Sequence, residues 1–152
     1  MQAFAALIDA LVYTRSRDAK IRQIADYLRA TPDPDRGWSL AALAGTLSIA
    51  TVKSAAIRAM AEERFDPLLF RMSRDYVGDT AETVALMWPD PSHKVTPPTV
   101  AEVIDLLNAT SRARAPSVLA ELMDRLDADG RYALLKLATG GMRVGISARL
   151  AK

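Results

Sequence analysis

Cysteine is absent from this chain and histidine occurs only once, so two common kinds of functional chemistry lack the residues they need. Without cysteine there is no disulfide, no thiolate zinc site and no thiol nucleophile. His93 has no second histidine or cysteine near it in the sequence, which disfavours a metal-ligating role. No nucleophile–base pair or phosphate-loop motif occurs either, so we expect no catalytic residue and no metal ion in this chain.

Glycine and long apolar runs are also scarce. Only 7 of the 152 residues are glycine, while alanine is abundant and β-branched residues are few, a mixture that favours helix over strand. No apolar run approaches the roughly 20 residues that a membrane-spanning helix needs. Residues 1–13 include Asp9 and lack a basic segment, which indicates a native start and not a signal peptide. We therefore expect a cytoplasmic protein with no membrane partner.

Apolar residues at helical spacing recur along the whole chain. Ile21, Ile24 and Leu28 belong to one such stripe, and similar stripes follow at residues 100–107 and 118–126. Asp79 with Glu82 has the spacing of a capping box, and Asp33 to Gly37 has the composition of a turn. The predicted helices cover residues 2–13, 17–30, 39–45, 49–62, 66–76, 80–87, 98–109, 116–127, 130–138 and 146–152.

These patterns predict an all-α fold, a compact multi-helix domain of about ten helices. We expect one helical domain over residues 1–152, with halves at about 1–88 and 97–152 and a proline-containing linker at 89–97. Trp38 and Trp88 are expected in the core or as staples that hold helix ends. The methionine side chains are expected to fill the core, namely Met60, Met72, Met87 and Met123.

Charge is unevenly distributed along the chain, although the net charge is only +2. Residues 1–61 hold eight basic and five acidic groups, residues 62–110 hold four and nine, and residues 111–152 hold eight and four. If the two basic ends meet in space, they form a positive face typical of a polyanion-binding protein. Charge alone favours the simpler interpretation of solvated helix faces, and this includes the basic cluster of Arg15, Arg17, Lys20 and Arg22.

The C-terminal stretch is the most informative part of the sequence. From Arg131 to Lys152 there are five basic residues and no acidic one, arranged as a helix, a glycine-containing turn with Arg143, and a further helix start. Glycines let backbone N–H groups approach a ligand, and a helix N-terminus carries partial positive charge, so this turn is suited to phosphate. Since the last amphipathic run stops midway, we expect the chain to be part of a longer one.

A weak internal repeat relates this turn to one in the first half. Residues 41–53 (AALAGTLSIATVK) align with residues 137–147 (LATGGMRVGIS), so that Gly45 corresponds to Gly141 and Leu47 to Arg143. Two turns of similar shape, related by a pseudo-twofold axis, would suit the two backbones of a nucleic-acid duplex. The first turn has no arginine at the position of Arg143, so its contacts would depend on backbone and hydroxyl groups.

Residues 139–147 (TGGMRVGIS) resemble the end of the N-terminal DNA-binding domain of bacterial ATP-dependent DNA ligases. The match is a turn of the form small-Gly-x-hydrophobic-Arg-hydrophobic-Gly between two helices, and residues 1–11 (MQAFAALIDAL) fit the opening of these ligases. The resemblance implies a helical module that binds duplex DNA, nicked in particular, across the minor groove and through phosphates. No lysine here begins the family's Lys-x-Asp-Gly adenylation motif. ATP and magnesium are therefore expected only for the catalytic core of the same polypeptide, and this chain should be inactive alone.

The resemblance also implies which residues contact DNA and what each would do. Glycine backbone amides would approach phosphate oxygens, Arg143 would add a charge-assisted hydrogen bond, and Ser147 would cap a helix or donate to phosphate. The implied DNA-binding residues are Gly140, Gly141, Arg143, Gly145, Ser147 and Arg149, with Thr46, Ser48 and Lys53 in the corresponding first-half segment.

Alternatives remain for both the residues and the function. Gly140 is equally well explained as a helix C-cap, and Lys53 as a solvated lysine of an alanine-rich helix. The competing class is a helical protein-interaction module with no nucleic-acid role, but no exposed apolar groove is identifiable from the sequence. A helix-turn-helix reader is disfavoured because the last helix is poor in asparagine and glutamine. We expect a monomer.

Overall fold

The computed structural model describes residues 1–47, 49, 52–91 and 94–139, and within these ranges the chain forms nine α-helices and no strand. The helices are α1 (Gln2–Tyr13), α2 (Arg17–Ala30), α3 (Asp35–Ala44), α4 (Ser54–Arg64), α5 (Pro67–Val77), α6 (Thr80–Met87), α7 (Val100–Ala109), α8 (Ala115–Met123) and α9 (Ala128–Thr139). The expectation of an all-α fold is confirmed. The tenth predicted helix, at residues 146–152, lies outside the described ranges.

Side-chain caps fix where several helices begin. The carboxylate of Asp79 accepts a hydrogen bond from the backbone N–H of Glu82 at 3.1 Å, which confirms the capping position predicted from their spacing. Ser16, Asp66 and Thr99 cap α2, α5 and α7 in the same way. Each cap satisfies an N–H group that has no partner inside its helix.

Helix α3 begins four residues earlier than predicted. Only Asp33 and Pro34 form a turn, and Asp35 to Gly37 already belong to the helix, so the predicted turn over this whole segment was wrong in its second part. Glycine is tolerated near a helix start, and the carboxylate of Asp35 is held by a contact that the local sequence does not show. Its Oδ1 accepts a hydrogen bond from the backbone N–H of Ala101 at 2.9 Å.

Helix α4, in contrast, begins at Ser54 and not at residue 49. Ile49 and Val52 are buried in the segment before it, so these side chains are anchored in the core by non-helical backbone. Helix α8 ends at Met123, four residues before its predicted end, because Asp124 to Leu126 form a turn that leads to α9.

One hydrophobic cluster contains residues from all nine described helices. Helix α9 lies at its centre and packs against α1, α6 and α8, while α3 packs on α7 and α4 on α8. The two sides of the proline-containing segment therefore share a core. The backbone also connects them, since the N-terminal amine of Met1 donates to the carbonyl of Pro98 at 3.0 Å.

The predicted core side chains are confirmed with one exception. Trp88 is buried, and its Nε1 donates to Oδ1 of Asp124, while Trp38 packs against the edge of the core. Met60 and Met123 are buried, and Met87 packs at the edge of the core. Met72 was wrongly predicted, because 62% of it is exposed.

None of the helices described is both long and apolar enough to cross a membrane. The same part of the chain contains no group of histidine, cysteine, aspartate and glutamate side chains suited to hold a metal ion.

Candidate nucleic-acid interface

The first-half turn predicted to contact phosphate starts at the end of α3. Gly45 has φ of 74° and ψ of 16°, the left-handed conformation that ends many helices and that glycine adopts without strain. The backbone N–H groups of Thr46 and Leu47 both donate to the carbonyl of Ala41, at 3.0 and 3.2 Å. Gly45 is exposed, and a Cβ built on it would meet no atom within 4 Å, so its backbone is open to an approaching ligand.

The chain then passes through an anchored segment into the N-terminus of α4. Leu47 packs against the core, and Ile49 and Val52 are buried, so the described residues between the Gly45 turn and α4 include three side chains in contact with the core. Lys53 occupies the N-cap position with extended backbone, φ of −119° and ψ of 155°, and its side chain is exposed.

The start of α4 has a positive electrostatic character. No described side chain caps it, and the sequence of its first turn contains no acidic residue. The first backbone N–H groups of any helix lack intrahelical partners, and the helix dipole adds partial positive charge there. A lysine at the N-cap is the opposite of what helix stability favours. The combination of an uncapped helix start and an exposed ammonium group is suited to an anion.

The structure describes two of the proposed DNA-binding residues, and they have different environments. Lys53 is exposed at the N-cap of α4, as its predicted role requires. The predicted helix over residues 49–62 would instead have placed it inside the helix. Thr46 is exposed too, but its hydroxyl already donates to the carbonyl of Ala41 at 3.2 Å. Thr46 must release this bond before it can donate to a phosphate oxygen. The remaining candidates lie outside the described ranges: Ser48, Gly140, Gly141, Arg143, Gly145, Ser147 and Arg149.

The first two of the five cations in residues 131–152 have ion-pair partners within the fold. Arg131 is 1% exposed, and its guanidinium donates to the carbonyls of Ala85 and Leu126 and pairs with Asp90 at 3.0 Å. Lys136 pairs with Asp79 at 2.9 Å. Both partners come from the acidic middle of the sequence, so Arg131 and Lys136 are paired within the fold, and the predicted phosphate interaction depends on the other three cations, Arg143, Arg149 and Lys152.

The pKa of Asp79 reflects this ion pair. Burial alone would raise the pKa, but hydrogen bonds from Lys136 and from the backbone N–H of Glu82, together with the Lys136 charge, outweigh it. The pKa of the carboxyl group is therefore lowered, which favours the carboxylate that pairs with Lys136.

The basic cluster near the start of α2 lies at the surface. Arg15, Arg17 and Arg22 are exposed, and Nε of Arg22 donates to the carbonyl of Asp18 at 3.5 Å. This exposure suits the interpretation of a solvated helix face, and the positions add positive charge to the first half of the chain.

Sequence reasoning missed the anion-binding character of the α4 start because it extended the helix back to residue 49. The available signal was the β-branching of Ile49, Thr51 and Val52 shortly before an alanine-rich segment. Such residues favour an extended connection, which makes Lys53 a helix boundary.

Comparison with known proteins adds no assignment to this geometry. Neither a scan against models of protein families nor a search of curated proteins finds a match for this chain.

Proposed function

We propose that this chain is the DNA-binding module of an ATP-dependent DNA ligase. The observation that carries the proposal is the start of α4, where a helix N-terminus that no described side chain caps and the exposed Lys53 follow the left-handed Gly45 turn. Residues 137–147 repeat this pattern in sequence with an arginine added.

In the proposed mode of binding, the two turns contact the two backbones of one duplex. The Gly45 turn and the start of α4 approach one strand, and Gly140, Gly141, Arg143, Gly145, Ser147 and Arg149 approach the other. The complete fold then has ten helices in two pseudo-symmetric halves. Contacts to phosphates position the protein without reading bases, so binding across the minor groove around a nick has little sequence preference.

Sealing the nick belongs to the catalytic core of the same polypeptide. That core supplies the adenylated lysine and takes up ATP and magnesium, whereas this chain supplies affinity and position. The module acts as a monomer in the cytoplasm, on the DNA of the nucleoid.

The test is a fluorescence-anisotropy titration of this chain with a nicked duplex and with its intact counterpart, at several salt concentrations. Binding should weaken steeply with salt and depend little on sequence, because counterion release from phosphates drives it. Absence of binding at low salt, or binding to one sequence only, would contradict the proposal.

Two substitutions locate the site. Arg143→Ala and Lys53→Met should each weaken binding and reduce the slope of log affinity against log salt by about one, the value for a lost phosphate contact. Lys94→Met removes an exposed lysine from the proline-containing segment and serves as the matched control. An equal loss of slope in the control would mean that binding reports net charge and not these two turns.

A second function, protein interaction, is favoured by a separate observation. Helix α5 exposes apolar side chains along one face, which include Leu69, Met72 and Tyr76. This face was not identifiable from the sequence, because an apolar stripe at helical spacing is typical of a buried helix face.

A further inference from the structure

Helix α5 is amphipathic, but most of its apolar residues face solvent. Phe70 is its one fully buried side chain, while Met72 is 62% exposed and Tyr76 is 93% exposed. Leu69, Met72 and Tyr76 follow the i, i+3, i+7 spacing of one helix face. With Leu86 and Met87 of α6 they line an open groove of about 440 Å³, which we call the α5–α6 groove.

A second groove lies on the other side of Leu86, between α1, α6 and α9. Leu86 lines both grooves and is 60% exposed. The second groove contains three carboxylates, Asp9, Glu82 and Asp129, and has a volume of about 300 Å³. We call it the acidic groove. Its apolar lining includes the exposed side chains of Val12 and Tyr13.

The charged side chains that line these grooves all belong to the acidic groove and are carboxylates. Among the described residues that line the two grooves, none is basic. Lys136 of α9 pairs with Asp79, whereas Arg71 of α5 is exposed beside Met72 and contributes positive charge outside the residues that line the grooves. The three carboxylates of the acidic groove therefore have no described ion-pair partner.

We propose that these two adjoining grooves dock an amphipathic helix of a partner protein, with apolar residues in the α5–α6 groove and lysine or arginine over the acidic groove. Helix-in-groove recognition uses apolar side chains spaced three and four residues apart. Leu86, which lines both grooves, would lie between the apolar row and the basic row of the bound helix. Charge complementarity then sets the orientation and favours basic partners over acidic ones. The proposal is independent of DNA binding and uses a different part of the surface.

The carboxylates also argue against the other occupants. Phosphates of a nucleic acid would be repelled by Asp9, Glu82 and Asp129. A second copy bound through the same face would bring two sets of these carboxylates into one interface, and the lining of the two grooves supplies no cation to pair with them. A cationic helix relieves the repulsion that both alternatives increase.

The test uses two fluorescein-labelled designed peptides of about 18 residues, five helical turns, with the same leucine positions along one face. One carries lysine at the flanking positions and the other glutamate. Anisotropy titration of the chain should show binding of the lysine peptide, weakened several-fold between about 50 and 300 mM salt, and no binding of the glutamate peptide. Equal affinity for both peptides, or no binding of either, would overturn the proposal.

Variants then place the peptide. Met72→Gln and Leu86→Gln should each weaken the lysine peptide about tenfold, as expected for the loss of one buried apolar contact. Glu82→Gln should weaken it less and reduce its salt dependence. Leu68→Gln is the matched control, because Leu68 is 63% exposed on the same helix but does not line either groove.

Three further measurements complete the test. Circular dichroism should show that all variants remain folded, which their exposed positions predict. Titration of Met72→Gln with nicked duplex should show unchanged DNA binding, so failure of the two proposals can be distinguished. A loss in Leu68→Gln as large as that in Met72→Gln would overturn the assignment of the groove. Sedimentation equilibrium that shows a dimer, broken by Met72→Gln, would assign the surface to a second copy instead.

Discussion

At the scale of single residues, Arg131 shows how a charged side chain can be structural. Its Nε and Nη1 atoms donate to the carbonyl of Ala85, in the last turn of α6, at 2.9 Å and to that of Leu126, in the turn between α8 and α9, at 2.6 Å. A carbonyl near a helix end has no intrahelical partner, so the guanidinium supplies what the backbone lacks. Asp90, its third partner, is largely exposed, with 75% of its side chain accessible.

Removal of Arg131 should therefore cost much more than removal of Asp90. Arg131→Ala leaves two buried carbonyls unpaired and a cavity behind, and we expect a loss of about 3 kcal/mol in the free energy of unfolding. Asp90→Ala breaks an ion pair at the surface and should cost less than about 1 kcal/mol. Urea denaturation followed by circular dichroism measures both. Equal losses would show that the ion pair, and not the carbonyl contacts, is the stabilising part.

At the scale of helices, the sequence predicted the elements better than their ends. The Asp79 cap of α6 was predictable because its hydrogen bond joins residues three apart. The start of α3 was not, because Asp35 is held by the N–H of Ala101, a residue distant in sequence. Local patterns contain no information about such a contact. The start of α4 was missed for a related reason, since Ile49 and Val52 are buried by the tertiary fold and not by a helix face.

Helix α4 provides a prediction in which stability and binding change in opposite directions. Lys53→Ser places a hydroxyl at an N-cap whose extended backbone already suits one, so unfolding should require about 0.5–1 kcal/mol more. DNA binding should weaken, since a charge is lost and the helix N–H groups gain an internal partner. Lys53→Met is the control, with weaker binding but no gain in stability. Thermal unfolding measures the stability of each variant, and anisotropy measures its DNA binding. If Lys53→Ser is stabilised but binds DNA as the unchanged chain does, α4 is not part of the interface.

At the scale of the whole molecule, polar contacts join segments that lie far apart in sequence. The amine of Met1 meets the carbonyl of Pro98, Arg125 pairs with Glu102 at 2.8 Å, and Lys136 pairs with Asp79. The sequence showed uneven charge but not these pairings. It therefore did not show that Arg131 and Lys136, two cations of the basic C-terminal stretch, have ion-pair partners within the fold. The sequence also indicated the two turns proposed to contact DNA. The exposed face of α5 was overlooked because its apolar stripe has the same spacing as that of a buried helix.

These contacts predict how stability depends on pH. Burial lowers the pKa of the Met1 amine, and this effect exceeds the opposing influence of Asp35 and Glu102. The hydrogen bond from Arg125 is the largest cause of the lowered pKa of Glu102, and Asp79 is lowered by its contacts with Lys136 and Glu82. A group whose pKa is lower in the folded state binds more protons when unfolded, so the free energy of unfolding rises with pH across its titration.

The free energy of unfolding should accordingly increase in two separate ranges of pH. One lies just below the ordinary pKa of a terminal amine, about 8, and the other lies below the ordinary carboxyl values of about 4. Urea denaturation across this range measures both. Asp79→Asn should reduce the change in the free energy of unfolding in the acid range and leave the change in the amine range as it is, because the two groups belong to different contacts. Acetylation of Met1 should remove the amine range alone. A constant free energy of unfolding between about pH 6 and 8 would show that the amine has the same pKa in the folded and unfolded states. That result would contradict its burial against Pro98.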